Sequence, residues 1–102
     1  MPTLLQIDFP TEGPWGEQMA AAYAELADLI SRTPGLRWKI WTEREEDGIS
    51  GGIYLFDDES SARAYLAEHT ARLSSFGISD IRALVLDVNE TLTATSRGPL
   101  SA

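Results

Sequence analysis

The sequence predicts an α+β fold with the element order β-α-β-β-α-β, and two patterns support that prediction. Strand-like runs over 36–45 and 50–56 lie on either side of a short polar loop, as in a β-hairpin. An amphipathic helical stretch precedes this hairpin and another follows it, and each has a further strand-like run on its outer side. This order is that of the ferredoxin-like plan, a four-stranded antiparallel sheet with two helices on one face.

The first half of the chain predicts one strand and one helix. The strand is predicted over 3–9 from residues that alternate between two sides, with Leu5, Ile7 and Phe9 on one side and Leu4, Gln6 and Asp8 on the other. The helix is predicted over 15–33 from apolar residues at helical spacing, namely Trp15, Met19, Ala22, Tyr23, Leu26 and Ile30. Pro34 and Gly35 would end this helix.

The second half predicts a helix, a last strand and a tail. The helix would begin at an acidic N-cap and first turn formed by 57–59 and end at Gly77. Its apolar stripe would consist of Ala62, Tyr65, Leu66, His69 and Leu73. The last strand is predicted over 81–88. Residues 1–92 would form a single domain, and residues 93–102 a tail that is loose or held by a partner.

The sheet face without helices is not plainly polar. Apolar residues fall on both sides of the predicted strands, so the helices cannot cover all of them. Leu4, Trp41 and Val85 would each lie on the opposite side of the strand from their apolar neighbours in the sequence. An exposed apolar sheet face marks an interaction site. Stacking two such faces would give a symmetric dimer, so the sequence predicts a homodimer through the open sheet face.

The composition excludes several classes of partner and site. The net charge of −8 gives no electrostatic footprint for nucleic acid or an anionic membrane. The absence of cysteine excludes disulfides, thiolate metal sites and a cysteine nucleophile, and the single histidine argues against a zinc or iron site. No basic N-terminal region or long apolar run suggests secretion or a membrane span, so a cytoplasmic location is the default expectation.

His69, the only histidine, falls in the apolar stripe of the second helix and would face the sheet. One interpretation is a hydrogen-bonded core histidine. The other is a general base, or a hydrogen-bond donor to a ligand held between helix and sheet, because imidazole exchanges protons near neutral pH. Tyr54 and Tyr65 bring hydroxyl groups that need partners if they are buried, either backbone groups or a ligand in a pocket.

The hairpin concentrates aromatic side chains. Trp38 and Trp41 would face opposite sides of their strand, Trp38 on the side of Leu36 and Trp41 on the side of Lys39. Plain packing at the dimer face or its rim is the favoured interpretation for Trp41. Gly51-Gly52 on the next strand predicts a bulge or a close approach, which a tryptophan across the pair could fill.

Six segments between about residues 3 and 92 are distinctive: Leu-Leu-Gln-Ile-Asp-Phe, Gly-Pro-Trp-Gly, Pro-Gly-Leu-Arg-Trp-Lys-Ile-Trp-Thr-Glu, Gly-Gly-Ile-Tyr-Leu-Phe, Tyr-Leu-Ala-Glu-His-Thr-Ala-Arg-Leu and Asp-Val-Asn-Glu. Together they resemble the YdhR-type monooxygenase family. The Trp-Lys-x-Trp-Thr-Glu and Gly-Gly-Ile-Tyr-Leu-Phe segments are specific in combination. The resemblance implies a dimeric α+β barrel, in which two ferredoxin-like subunits stack their sheets.

The resemblance also implies a small oxygenase that oxidises a phenol-, anthrone- or hydroquinone-like aromatic substrate with O2 and needs no cofactor. Its pocket would lie within each subunit, between helices and sheet. Trp38 and Tyr65 would then form walls of the pocket, Tyr54 would hydrogen-bond a substrate oxygen, and His69 would be the base. Asp8, near the end of the first strand, is a second candidate base.

Two other functions stay open. The chain could be a non-catalytic module that binds an aromatic ligand or serves in a stress response. A haem-degrading activity is the third alternative, and it is disfavoured because relatives with that activity use an asparagine, whereas the only asparagine here is Asn89 near the C-terminal end. Oxygen uptake with a hydroquinone or anthrone would favour the oxygenase. Tight binding of an aromatic without turnover would favour the binding module. A sharp Soret shift on addition of haem would favour the haem enzyme.

Overall fold

The computed structural model describes residues 1–101 and contains four strands: β1 Thr3–Pro10, β2 Leu36–Arg44, β3 Ile49–Phe56 and β4 Arg82–Asp87. They form one antiparallel sheet in the order β2-β3-β1-β4. The helices are α1 Gly16–Ala22, α2 Ala24–Ser31, α3 Glu59–Ser75 and α4 Glu90–Thr95, and a 3-10 turn, Glu45–Asp47, joins β2 to β3. The predicted α+β class and the ferredoxin-like strand arrangement are therefore confirmed.

One face of the sheet packs against the helices and forms the core. Alternation along β1 puts Leu5 and Ile7 on this face, where they are 0% and 2% exposed. Leu5 lies opposite Tyr54 of β3 and Val85 of β4. The buried cluster consists of Leu5, Ile7, Ile30, Tyr54, Phe56, Ala62 and Tyr65. The apolar side predicted for the first strand is thus the side that faces the helices.

The second predicted helix forms as α3. The Asp58 carboxylate accepts a hydrogen bond of 2.7 Å from the Ser61 backbone N–H, and this bond lowers the pKa of Asp58. Gly77 follows the helix with a φ of 84°, and its N–H donates to the Ser74 carbonyl, as expected for a C-terminal glycine. Within residues 1–101, neither α3 nor any other helix has the length and apolar character to cross a bilayer.

The first predicted helix, over 15–33, is instead two helices that meet at Tyr23. The backbone of Tyr23 has φ −111° and ψ 15°, which lies outside the α-helical region, although its N–H still donates to the Met19 carbonyl. Neither glycine nor proline occupies this position, so the sequence gives no local signal of the break. The Tyr23 ring instead stacks on Trp41 of β2, with centroids 6.4 Å apart and planes 17° from parallel.

A bulge at Arg37 changes which side chains of β2 face the helices. Leu36 pairs with Phe56 of β3, and Trp38 pairs with Leu55, the residue adjacent to Phe56. Arg37 therefore has no partner on β3 and is the extra residue. One extra residue reverses the alternation beyond it. Trp38 therefore lies on the face away from the helices, while Trp41, opposite Gly52, lies on the helix side. The predicted grouping of Trp38 with Leu36, and the assignment of Trp41 to the dimer face or rim, are corrected.

The face away from the helices, here called the open face, keeps large apolar side chains exposed. Ile40 of β2 and Leu84 and Leu86 of β4 are 53%, 47% and 41% exposed. Asp8 also lies on this face, where its carboxylate accepts a hydrogen bond of 3.0 Å from Arg82. This position puts Asp8 on the side of the sheet opposite the core, as its strand alternation predicts.

The C-terminal segment forms a helix and returns to β2. The Asn89 side chain caps α4 by accepting a hydrogen bond of 3.1 Å from the Leu92 N–H. Arg37 donates to the Leu100 carbonyl at 2.6 Å, and the Trp38 indole N–H donates to the Pro99 carbonyl at 3.2 Å. Helix α4 was not predicted, and it spans the expected domain boundary at residue 92; Ala102 of the predicted tail lies outside the described residues.

We expect Gly51→Ala to lower the free energy of unfolding by about 3 kcal/mol, because the two strands leave no room for a side chain there. A Cβ at Gly51 would lie 2.0 Å from the Ile7 carbonyl oxygen, which is backbone and cannot move aside cheaply. Gly52→Ala is the matched control: its Cβ would first meet the Lys39 side chain at 2.7 Å. Urea unfolding that finds equal losses for the two variants would contradict this account.

Candidate active site

A small cavity lies between the helix side of the sheet and the helices. Its walls include Lys39 and Trp41 of β2, Tyr54 of β3 and His69 of α3. The cavity has a volume of about 30 Å³, which is enough for about one or two water molecules. Charged, hydroxyl and aromatic groups therefore meet in one enclosed space.

A larger cleft of about 270 Å³ adjoins this cavity on the side of α1 and α2. Met19, Tyr23 and Trp41 line both spaces and so form the partition between them. At the rim of the cleft, Glu43 accepts a hydrogen bond of 2.8 Å from the Gly16 N–H. The stacked rings of Tyr23 and Trp41 offer a flat apolar surface on which an aromatic ligand can lie.

Three of the four residues predicted for the site come together. Tyr54, Tyr65 and His69 are 1%, 2% and 4% exposed. The two tyrosine hydroxyls lie 3.3 Å apart, and the Tyr65 and His69 rings stack with centroids 5.0 Å apart. Tyr54 and His69 line the cavity, whereas Tyr65 packs behind them. Trp38 does not join this group, because the bulge at Arg37 turns it to the open face.

The protonation state of His69 follows from its neighbour one turn along α3. Arg72 lies 2.8 Å from His69 Nδ1, and because a guanidinium can only donate, Nδ1 must be the acceptor. The neutral ring then carries its proton on Nε2. Burial, followed by the charges of Lys39 and Arg72, lowers the pKa of His69 to about 3. This arrangement favours a hydrogen-bond donor over the general base that the sequence also allowed.

His69 should make the protein lose stability in acid. Its pKa in the folded state, about 3, lies below its ordinary value of 6.5, so the unfolded chain takes up the proton first as the pH falls. Between these two pH values, wild type should lose on the order of 5 kcal/mol more unfolding free energy than His69→Asn, whose amide can still accept from Arg72. Urea unfolding across this range measures the difference; parallel curves would mean that His69 titrates normally in the folded protein.

Lys39 lines the cavity but was not among the predicted site residues, and neither were Trp41 and Tyr23. The Lys39 Nζ lies 3.4 Å from the centroid of the Trp41 ring and 4.7 Å from that of Tyr54. Burial, together with the charge of Arg72, lowers the pKa of Lys39 to about 7. The available signal was a lysine in the predicted hairpin strand that lies between two tryptophans, Trp38 and Trp41. It was not used, because the side facing the helices was assigned without the bulge.

The two buried tyrosines stay protonated near neutral pH. Burial, followed by the neighbouring Tyr65 hydroxyl, raises the pKa of Tyr54 far above its ordinary value. Burial also raises the pKa of Tyr65. The site therefore combines neutral hydroxyl and imidazole groups with one amine that can exist in either protonation state. Such a set can bind an oxygen-bearing aromatic molecule and move a proton.

Comparison with known proteins agrees with this architecture. The family model described as "Putative mono-oxygenase ydhR" matches residues 4–99. The chain belongs to this family. The match to the ydhR family extends beyond residue 92 and so includes helix α4. No curated protein sequence matches the chain.

Among solved structures, the chain is similar to SnoaB, a cofactor-independent oxygenase from Streptomyces nogalater. The TM-score is 0.61 at 21% sequence identity, and the alignment covers 89% of this chain and 96% of SnoaB. At this identity, the similarity shows that the ydhR family member and SnoaB have the same ferredoxin-like fold. Family membership and this neighbour together support a monooxygenase.

Proposed function

We propose that the protein is a cofactor-independent monooxygenase that oxidises an ionisable aromatic substrate, such as a phenol, hydroquinone or anthrone, with O2. The observation that supports this most is that an amine, an imidazole and a phenol line one small cavity beside a flat aromatic surface. Lys39, His69 and Tyr54 supply the polar groups, and Trp41 with Tyr23 supplies the surface. The ydhR family description and the activity in the name of SnoaB point to the same reaction class.

The overall reaction on an anthrone balances without any further reagent. A CH2 group and O2 become a ketone C=O and water. Loss of a proton first converts the substrate to an electron-rich anion, which can pass an electron to O2. The radical pair then joins to form a peroxide. The protein contributes by holding the ring, removing water and stabilising the anion.

In the proposed complex, the substrate ring lies in the outer cleft against Tyr23 and Trp41. Its oxygen-bearing edge reaches past the partition to the His69 Nε2–H and the Tyr54 hydroxyl, which donate hydrogen bonds to the developing anion. The inner cavity of about 30 Å³ would hold a molecule as small as O2. Tyr65 supports Tyr54 and His69 from behind through its hydroxyl and ring contacts.

Oxygen uptake by chelator-treated protein, with a panel of anthrones, hydroquinones and catechols, tests this proposal. We expect uptake above the autoxidation rate for at least one class. His69→Asn should reduce but not abolish the uptake, because His69 is proposed as a donor rather than the base. Tight binding of an aromatic with no uptake across the panel would support the alternative of a binding module. A sharp Soret shift on addition of haem would support the haem-enzyme alternative instead.

A second copy of the chain is the proposed partner at the open face. Ile40, Leu84 and Leu86 are exposed there on strands at the two edges of the sheet. A homodimer that stacks two open faces would remove these side chains from water. The cytoplasmic location expected from the sequence stays a prediction.

A further inference from the structure

We propose that the Lys39 amine is the proton acceptor of this site, and that the site therefore takes aromatic substrates which bind as neutral acids and react as anions. This inference rests on the proposed oxygenase function and assigns its base. It replaces the expectation that His69 is the base. It also defines the substrate class by acidity: a phenol or enol that a neutral amine can deprotonate.

The position of the amine supports the proposal. Lys39 reaches from β2 into the cavity wall, where its Nζ lies over the Trp41 ring and beside the Tyr54 ring. Gly52 makes this conformation possible, since a Cβ there would lie 2.7 Å from Lys39 Cε. Among residues 1–101, no carboxylate lies within ion-pair distance of Lys39, whereas seven ion pairs engage other side chains.

The groups around Lys39 allow both of its protonation states. His69 and Arg72 of α3 face it from the helix side, Tyr54 faces it from β3, and Tyr23 lies across Trp41; none of these side chains is a carboxylate. The Glu68 carboxylate is directed to Arg72, at 3.0 Å. Burial and Arg72 favour the neutral amine, while the two ring faces stabilise the ammonium once it forms.

The other candidate bases are occupied or misplaced. His69 accepts from Arg72 at Nδ1 and carries its proton on Nε2. Tyr54 and Tyr65 hold their protons well above neutral pH. Asp8 lies on the open face and pairs with Arg82. Glu43 lines the outer cleft but accepts from the Gly16 N–H at its rim. Lys39 is thus the basic group that faces the cavity with its lone pair available.

The proton can make a complete cycle through Lys39. The O–H or acidic C–H bond of the substrate breaks, an N–H bond forms on Nζ, and the electron pair stays on the substrate as a phenolate or enolate. O2, the co-substrate, takes one electron from this anion, and the two radicals combine to a peroxide anion. The Lys39 ammonium returns its proton to give the hydroperoxide, which loses water to leave the ketone. No other oxidant or reductant is needed.

Binding of 3-nitrophenol without oxygen tests the proton transfer separately from oxygenation. The phenol is colourless and its phenolate is yellow, and near about pH 7.5 most of it is protonated in solution. We expect it to turn yellow on wild-type protein with no net proton released to the buffer, because Lys39 retains the proton and the resulting ammonium–phenolate pair is strongly attracted in a buried site. Calorimetry in two buffers of different ionisation heat counts the released protons.

Two variants make the outcome decisive. Lys39→Met should bind the probe as the colourless neutral phenol, because this variant lacks the amine that would accept the proton. Lys39→Arg should turn it yellow but release one proton, because a guanidinium stabilises an anion without accepting a proton. A colourless complex with wild type, or a yellow one that releases a proton, would overturn the proposal. Because oxygen is absent, a failed oxygenase assay leaves this result unaffected.

Nuclear magnetic resonance of Lys39 decides the matter even if the probe does not bind. Lys39 is the only lysine in the chain, so carbon-13 lysine labelling gives a single Cε signal. Its pH titration should have a midpoint near about 7 rather than at the ordinary 10.5. A midpoint at the ordinary value would overturn the proposal, since the amine would then be fully protonated at neutral pH.

Discussion

Lys39→Met should lower oxygen uptake with an accepted substrate by about 100-fold or more, because general-base catalysis typically contributes that much. The loss should fall on kcat rather than on KM, since the substrate ring is proposed to bind mainly in the outer cleft, which Trp41 lines together with residues of α1 and α2. Methionine is similar to lysine in length and lacks branching, so the packing against Trp41 and Tyr54 is retained. Steady-state oxygen-electrode kinetics at several substrate concentrations measure both parameters.

Lys39→Arg separates a base from a simple cation. An arginine keeps a positive charge in the cavity but cannot release its proton at any accessible pH. If Lys39 accepts the substrate proton, Lys39→Arg should lose as much kcat as Lys39→Met. Activity retained in the arginine variant would show instead that the site needs only a charge to hold the anion.

The same methionine variant should be more stable than wild type in neutral and mildly acidic solution. The pKa of Lys39 in the folded state, about 7, lies below its ordinary 10.5, so between these values the unfolded chain holds more protons and stability rises with pH. Below about pH 7 the wild type carries the full cost of burying the charge. Lys39→Met should therefore gain on the order of 5 kcal/mol there and little above pH 10.5. Loss of activity cannot then be attributed to unfolding.

The second large effect concerns the open face. Ile40→Glu and Leu84→Glu should each convert the proposed dimer to a monomer, because two copies would bring the new carboxylates into a buried apolar interface. Both residues are about half exposed in the single chain, so neither change removes a core contact. Sedimentation velocity over a range of concentrations measures the molecular mass directly.

Leu29→Glu is the matched control for these variants. The Leu29 side chain is 49% exposed, a fraction similar to those of Ile40 and Leu84. It lies on α2, however, on the other side of the sheet. The same chemical change at Leu29 should leave the dimer intact. If wild type sediments as a monomer at high concentration, or all three variants behave alike, the open face is not the interface.

The elements were predictable from the sequence because burial follows their periodicity. Leu5 and Ile7 alternate into the core of β1, and Tyr65 and His69 recur along the buried stripe of α3. The Asp58 cap also formed as its residue type predicts. Helix α4 had a comparable signal, since Asn89 followed by Glu90 is a common helix start, but the polar composition of the segment obscured it.

The side chains that face the cavity were harder to predict. A single extra residue, Arg37, reverses the faces of β2, and neither glycine nor proline marks that bulge. The alternation of the sequence therefore predicted that Trp38 faces the pocket, and it did not predict that Trp41 and Lys39 do. Side-chain alternation can be read locally, but a bulge is decided by the pairing with β3, which involves residues distant in the chain.

The chemistry of His69 depends on tertiary contacts. Its place on the buried stripe was predicted, and the spacing of Arg72, three residues further on, was enough to bring the guanidinium to Nδ1. Its low pKa, however, also requires burial against the sheet and the charge of Lys39, which arrives from another element. The sequence therefore indicated the residue but left its role open between core histidine, base and donor.

The most direct test of the account is a turnover under oxygen-18 gas with chelator-treated protein and an anthrone-type substrate. Mass spectrometry of the ketone product should find one oxygen atom from O2, in wild type and, at a much lower rate, in Lys39→Met. Product oxygen derived from water, or activity that chelation removes and a metal restores, would contradict cofactor-independent monooxygenation.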